Sequence, residues 1–414
     1  ALLHARRGTR NRRGFTLVEV LVATTVLVVL VVILFQMTAG VGNIWKSGSG
    51  KVSAFQGARS AFSTLSETLS RATLNTYVDY ANYTGNQLYF RHADDASNTS
   101  DPGNASNFVP KQFARASELH FLCGPTVDIA NATQTSGGAA LSINATAAAN
   151  PGDAVFFQAP LNNTLQTATY AGLSRMLNSV GFYLQYEKTD TSLLPTWLAG
   201  TASAQKYHYQ LVEYVEPTEN LQIYLSTSKS KYLLDWLNFA GPVNPTASNS
   251  KLRVLAEDVV LLLLRPRLSP TDEKKVADKF GEPYDQATQL GSVLSPNYHY
   301  DSRAWQTNYP ASARVTDANN SNVAKRVALM TNQLPPIIDL VMVSVDAQSL
   351  ARFDTTTSTP PGGLPKPSTA SLFINSANME ADLTTYAAQL SAAHIRFHIE
   401  RGAVAIQGAK WSNN

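Results

Sequence analysis

The chain has one cysteine, Cys123, in 414 residues. No intramolecular disulfide can form, so an oxidising compartment cannot staple this fold. A solitary cysteine of this kind is expected to be a small buried hydrophobe without a chemical role. Charged residues are also scarce, at 15%. The net charge of +3 and pI of about 8.8 at first suggest an anionic partner. Position removes that reading. Arg6, Arg7, Arg10, Arg12 and Arg13 crowd the start of the chain with no acid among them, and without these five the side-chain sum falls to −2. A near-neutral remainder has no nucleic-acid signature, and no nucleic-acid partner is expected. Proline is missing before Pro102, so nothing in that stretch forces a helix to break by losing an N–H.

Motifs of catalysis are absent as well. There is no Gly-x-Ser-x-Gly nucleophile elbow and no His-Glu-x-x-His helix, the signatures of acyl transfer and of zinc proteolysis. Gly48-Ser49-Gly50-Lys51 resembles a phosphate loop, but Trp45 stands at its first glycine position and Val52 replaces the hydroxyl that holds magnesium. Near the C-terminus, His394, Arg396, His398 and Glu400 would share one face of a strand. Two histidines and a carboxylate can bind zinc; Arg396 between them opposes a metal, and charge pairing on a solvated face is the simpler account. Asp94, Asp95, Asn98, Asp101 and Asn104 around Gly103 form an oxygen-rich loop of a kind that can hold calcium, without the EF-hand spacing. No catalytic residue, resident metal or cofactor is therefore expected.

What the chain does have is a long apolar run. From Phe15 to Phe35 nearly every residue is apolar, the exceptions being Thr16, Thr24, Thr25 and one charge, Glu19. About 20 such residues cross a bilayer as a helix. A carboxylate inside the run costs on the order of 2.5–3.5 kcal/mol near the membrane centre, so Glu19 either lies near the interface or is retained for a task. The run is too long for the core of an ordinary signal peptide, and no Ala-x-Ala site follows it. It is far too long for a strand, despite its many valines. A plain signal anchor would explain everything except Gly14 and Glu19.

The order of features is specific: Arg12-Arg13-Gly14, then Phe15-Thr16-Leu17-Val18-Glu19, then the apolar helix. This resembles the cleavage and methylation signal of type IV prepilins and pseudopilins. The resemblance implies that prepilin peptidase cuts between Gly14 and Phe15 and that Phe15 becomes the N-methylated terminus. It also implies that Glu19 neutralises a neighbouring subunit's N-terminal amine in a filament core, which suits a carboxylate that needs a cation in a low dielectric. The arginines hold the leader in the cytoplasm by the positive-inside rule, placing the bulk of the chain beyond the bacterial inner membrane. The sequence begins at Ala1 rather than Met, as expected of a chain that has been trimmed or continues upstream.

After the span, Gly40, Gly42, Gly48 and Gly50 weaken the helix or hinge two helices, each glycine costing about 1 kcal/mol. Val52, Phe55, Ala58, Phe62, Leu65, Leu69 and Ala72 then recur at spacings of three and four, predicting an amphipathic helix that lies on a sheet. Strands are predicted at Gln87–Arg91, Glu118–Leu122, Ala154–Gln158, Gly181–Glu187, Tyr207–Tyr214, Leu221–Leu225, Val259–Arg265 and Ile337–Val345. Two more are predicted at Ile395–Glu400 and Ala403–Gln407. The unbroken run Val259–Leu264 suits a central strand buried on both faces. Short helices are predicted at Tyr232–Phe239, Ala347–Phe353 and Met379–Ala393. Asp94–Asn107, Asp128–Asp153 and Thr355–Ser368 read as exposed loops.

Patches farther along are similar to cassette protein C of the Verru_Chthon cassette, and one of them, Ala256–Val259 with the apolar strand after it, is also similar to the J-type minor pseudopilins of type II secretion. They are Ala58–Phe62, Thr73–Tyr77, Leu255–Val260, Arg265–Asp272, Asn332–Pro336 with Val341–Asp346, and Ala409–Ser412. The expected chain is α+β and pilin-like: a basic leader at 1–14, a transmembrane helix at 15–37, an amphipathic spine at 38–75 and a mainly antiparallel β-rich domain at 76–414. Its expected role is structural, as a minor or tip subunit whose partners are prepilin peptidase, other pilin-like subunits and the inner membrane. A signal-anchored periplasmic enzyme or an adhesion protein is the alternative.

Overall fold

The computed structural model describes residues 16–84, 87–91, 102–135, 152–170, 172–188, 206–221, 251–304, 323–353, 355–367 and 371–411, with isolated positions at 100, 195, 197, 201, 223, 236 and 237. For 39–54, 83–84, 87–88, 131–135 and 323–324 the backbone alone is described. The fold is α+β, a long N-terminal helix with antiparallel sheets. Residues up to Val52 and those from Ser53 onward form two compact units.

Helix α1 runs from Leu17 to Ser70. Its backbone passes through all four glycines without a break, because intrahelical hydrogen bonds are local and no proline removes a donor. The predicted stripe is buried where its side chains are described: Ala58, Leu65, Leu69 and Ala72 are at most 1% exposed, Phe62 packs against the same core, and Arg59 and Ser60 face solvent. A fully buried leucine contributes about 1.5–3 kcal/mol, so Leu65 and Leu69 anchor this end of the helix.

Among the described residues, three antiparallel sheets follow. Strands β1 (Tyr77–Thr84), β2 (Gln87–Phe90) and β3 (Gln112–Ala116) form the first, in the order β2-β1-β3. The largest has the order β10-β4-β5-β6-β7-β8, built from β4 (Leu122–Pro125), β5 (Asp153–Pro160), β6 (Leu177–Lys188), β7 (Tyr207–Glu216), β8 (Leu252–Glu257) and β10 (Tyr300–Asp301). The third has the order β12-β11-β9, from β9 (Val259–Arg267), β11 (Ile337–Val345) and β12 (Phe397–Ala405). Helices are α2 (Thr126–Thr135), α3 (Pro270–Phe280), α4 (Val323–Met330), α5 (Ala347–Leu350) and α6 (Met379–Ala392).

The third sheet separates two cores. On β11, Ile338, Leu340 and Met342 enter the core shared with α1 and the six-stranded sheet. Val341, Val343 and Val345 enter a second core, closed by Met379, Leu383, Tyr386 and Leu390 of α6. This is the period-two alternation of a strand buried on both faces. The spine lies close to β12: a Cβ added at Gly402 would meet the Phe62 ring at 3.2 Å, and Phe55 sits 5.7 Å from the His398 ring.

Several expectations are corrected. Val259–Leu264 is buried on both faces, but β9 lies at the edge of its sheet and β11 is central. Glu118–Leu122 is not a strand before Leu122, because its donors go to side chains. Glu118 N and Leu119 N donate to Asn75 Oδ1, His120 N to Gln158 Oε1 and Phe121 N to Ser302 Oγ. The two C-terminal strands are one, since Gly402 stays in register opposite Leu340. The Asp128–Asp153 spacer is not wholly loop: α2 occupies its start with Ile129 and Ala130 fully buried, and Asp153 opens β5. In Thr355–Ser368, Leu364 is buried in the second core. The helix after Asp346 stops at Leu350. Leu221–Leu225 and Tyr232–Phe239 fall largely outside the described residues, and Leu221 follows a short 3-10 turn.

Candidate functional site

The chemistry singled out by the sequence begins at Thr16, just before the first turn of α1. Gly14 and Phe15 lie outside the described residues. Thr16 Oγ1 accepts from Glu19 N at 3.2 Å, while Glu19 Oε2 accepts from Thr16 N at 3.0 Å and from Thr16 Oγ1 at 3.1 Å. Thr-Leu-Val-Glu is thus a capping box, in which two orphan donors of the helix start are satisfied reciprocally. The glutamate also stands in the first turn, where the helix dipole favours an anion. All three bonds leave Oε1 without a partner among the described residues.

From Val20 to Phe35 the helix carries no charge, and its side chains are hydrocarbon except for two hydroxyls. Leu17–Thr38 is long and apolar enough to cross a membrane, and its residues are exposed. Its two internal hydroxyls are satisfied locally, Thr24 donating to Leu21 O at 2.9 Å and Thr25 to Val22 O at 2.8 Å. Such a surface is stable in lipid or against other helices, not in water.

The competing sites dissolve on inspection of their geometry. His394 has φ 54° and lies in the turn that closes α6, before β12 begins at Phe397. It therefore does not share a strand face with His398, whose Nε2 donates to Glu400 Oε1 at 3.0 Å. Among the described residues no group of three metal-ligating side chains converges. Of the oxygen-rich loop, Asp94, Asp95, Asn98 and Asp101 lie outside the described residues. Asn104 is buried, and its Oδ1 caps a local turn by accepting from Ser106 N at 3.1 Å. Gly48–Lys51 lies inside α1, where backbone N–H groups are already bonded and cannot cradle a phosphate. Cys123 is fully buried, and burial pushes its thiol pKa well up. It is a core residue.

Sequence reasoning missed one buried polar network. His120 Nε2 lies 2.8 Å from Asp301 Oδ1, and Trp236 Nε1 donates to His120 Nδ1 at 3.0 Å. An indole can only donate, so Nδ1 is the acceptor and Nε2 carries the proton toward Asp301. Burial lowers the His120 pKa, which agrees with a neutral ring. Both ring nitrogens are occupied and both side chains are inaccessible, so this pair cannot exchange a proton with a substrate. It ties the segment before β4 to β10 across 181 residues of sequence, a separation that no local pattern signals.

Residues 9–35 match the prokaryotic N-terminal methylation motif, which supports a type IV pilin-like protein. No curated protein and no solved structure matches the chain.

Proposed function

We propose that the chain is a structural, minor pilin-like subunit: a component or tip protein of a type IV pilus or type II secretion-like filament. Residues 1–14 are the basic leader, 15–37 the membrane helix, 38–75 the spine and 76–414 the extracytoplasmic β-rich domain. Prepilin peptidase cuts between Gly14 and Phe15, and Phe15 is then N-methylated. Glu19 meets the N-terminal amine of a neighbouring subunit, with Thr16 holding one carboxylate oxygen and Oε1 turned over to the amine. A large domain hinders dense helical packing, which favours a low-copy role. The narrower kinship, with cassette protein C or the J-type pseudopilins, rests on the Leu255–Val260 and Asn332–Pro336 patches.

One observation carries this reading: the methylation motif covers most of a span, Leu17–Thr38, that is apolar, exposed and capped by its single carboxylate. The chemistry needs no catalytic group, in keeping with a non-enzymatic protein in the inner membrane. The test is the mass and first residue of the protein from its native membrane. N-methylated phenylalanine at Phe15 is expected. A leader still carrying its arginines would reduce the chain to a simple membrane anchor.

A further inference from the structure

Strand β9 is an edge strand, yet its outer edge is closed by side chains and backbone of the other large sheet. Leu264 N donates to Asp153 Oδ2 at 2.8 Å, and the Cys123 thiol approaches Leu264 O at 3.9 Å. One turn of the pleat away, Gly152 forms a parallel bridge with Leu262. Gly152 has φ 86°, and a Cβ there would lie 2.0 Å from Leu262 O. Only a glycine permits that approach. The two large sheets are therefore joined at Gly152–Asp153, and Asp153 supplies the bond that a further strand would otherwise make.

We propose that Asp153 is a proton-dependent clasp: its neutral carboxyl locks β5 onto the edge of β9, and its ionisation loosens the seam between the two sheets.

The surroundings support this. Among the described residues, the titratable groups facing Asp153 are the Cys123 thiol from β4, the Asp128 carboxyl from α2 and the Tyr298 hydroxyl from the segment entering β10. Each becomes an anion on losing its proton, so none supplies a positive charge. Arg265, the next residue of β9, points to the opposite face, where its Nη2 donates to Asp339 Oδ2 at 2.7 Å. His299 lies against Gly124, and burial holds its pKa down to about 4, leaving the ring neutral. An ionised carboxylate here keeps its bond from Leu264 but loses its water without gaining a cation. Burial accordingly pushes the Asp153 pKa up to about 8, the Leu264 bond opposing that rise and Asp128 adding to it.

The sign follows by linkage. A carboxyl held above its ordinary 3.8 stabilises the closed seam fully at low pH, and the contribution is lost as pH rises toward the folded-state value. An open seam that releases one proton gains about tenfold in population per pH unit across that window, then levels off. The device is independent of the filament reading, since it concerns the soluble domain alone.

Amide exchange of the 259–267 strand in the full chain, held in detergent micelles, tests it. Wild type and Asp153→Asn are compared at pH 5, 6, 7 and 8, so that intrinsic base catalysis cancels in their ratio. The expected ratio rises about tenfold per pH unit and flattens above pH 8; a ratio constant with pH overturns the proposal. Should Asp153→Asn fail to fold, Asp128→Asn serves instead. Removing that neighbouring acid moves the plateau of the wild-type profile to lower pH, and an unmoved profile likewise overturns the clasp.

Discussion

Two leucine-rich stretches of the same helix have opposite fates. Leu17, Leu21, Leu27, Leu30 and Leu34 are each more than half exposed, whereas Leu65 and Leu69 are fully buried. Their backbone conformation is the same, so helix formation alone did not decide burial. The later leucines alternate with Arg59, Ser60 and Glu67 and form one stripe that a sheet can cover. The earlier ones surround the helix on every side, and each is exposed. A helix apolar all round requires cover from outside the fold, whether lipid or other helices. The comparison shows that the pattern of apolar residues, not their number, separates an anchor from a core element.

The sharpest way to break this comparison is to delete residues up to 38. The remaining chain is expected to lose its need for detergent entirely while keeping its thermal midpoint, as sedimentation and calorimetry would show. A collapse of the midpoint would mean that the span supports the domain. Within the domain, His120→Leu should cost about 2–3 kcal/mol in urea unfolding, because it strands the indole N–H and takes from the buried Asp301 one of its two bonds, leaving that from Arg303 N. A cost below about 1 kcal/mol would show the network to be dispensable. Gly152→Ala should cost about 3 kcal/mol, from backbone overlap added to an unfavourable φ, read in the same experiment. A smaller effect belongs to the anchor. Thr16→Val removes half of the capping box and should cost about 1 kcal/mol, visible as roughly fivefold faster exchange of the first-turn amides with the domain unchanged.

A pH series adds a second contrast inside the domain. The side-chain bond to Asp258, at 3.1 Å, is the main cause raising the His208 pKa. Its stabilisation is present in full at low pH and is lost as pH rises through the folded value. His208→Gln should therefore lower stability at pH 5 by about 1 kcal/mol or less and leave it nearly unchanged at pH 9, by thermal melts.

Much of this was legible along the chain. Ile337–Val345 is a strand with the predicted bounds, and the stripe Ala58–Ala72 is buried as its spacing demands. These elements carry a strong period of their own. Elements without one escaped: β1 and β3 mix Asn, Asp, Arg and Ala with aromatics, and α3 is largely charged. The strand misplaced at Glu118–Phe121 had strand-like composition, but Asn75, Gln158 and Ser302 took its donors. At the helix start, Thr16 and Glu19 were both visible, yet their mutual bonds depend on the turn that brings residues three apart together.

The anchor is therefore what the sequence by itself determined. Its helix, its single carboxylate and the methylation motif are all local, and hydrogen bonds four residues apart need no distant partner. The tertiary structure decided which strand is central, which acid is buried and which histidine is occupied. Asp153 and Leu264, or His120 and Asp301, meet only after more than a hundred residues of chain have been folded between them. Their environment is made of neighbours that no window of the sequence contains.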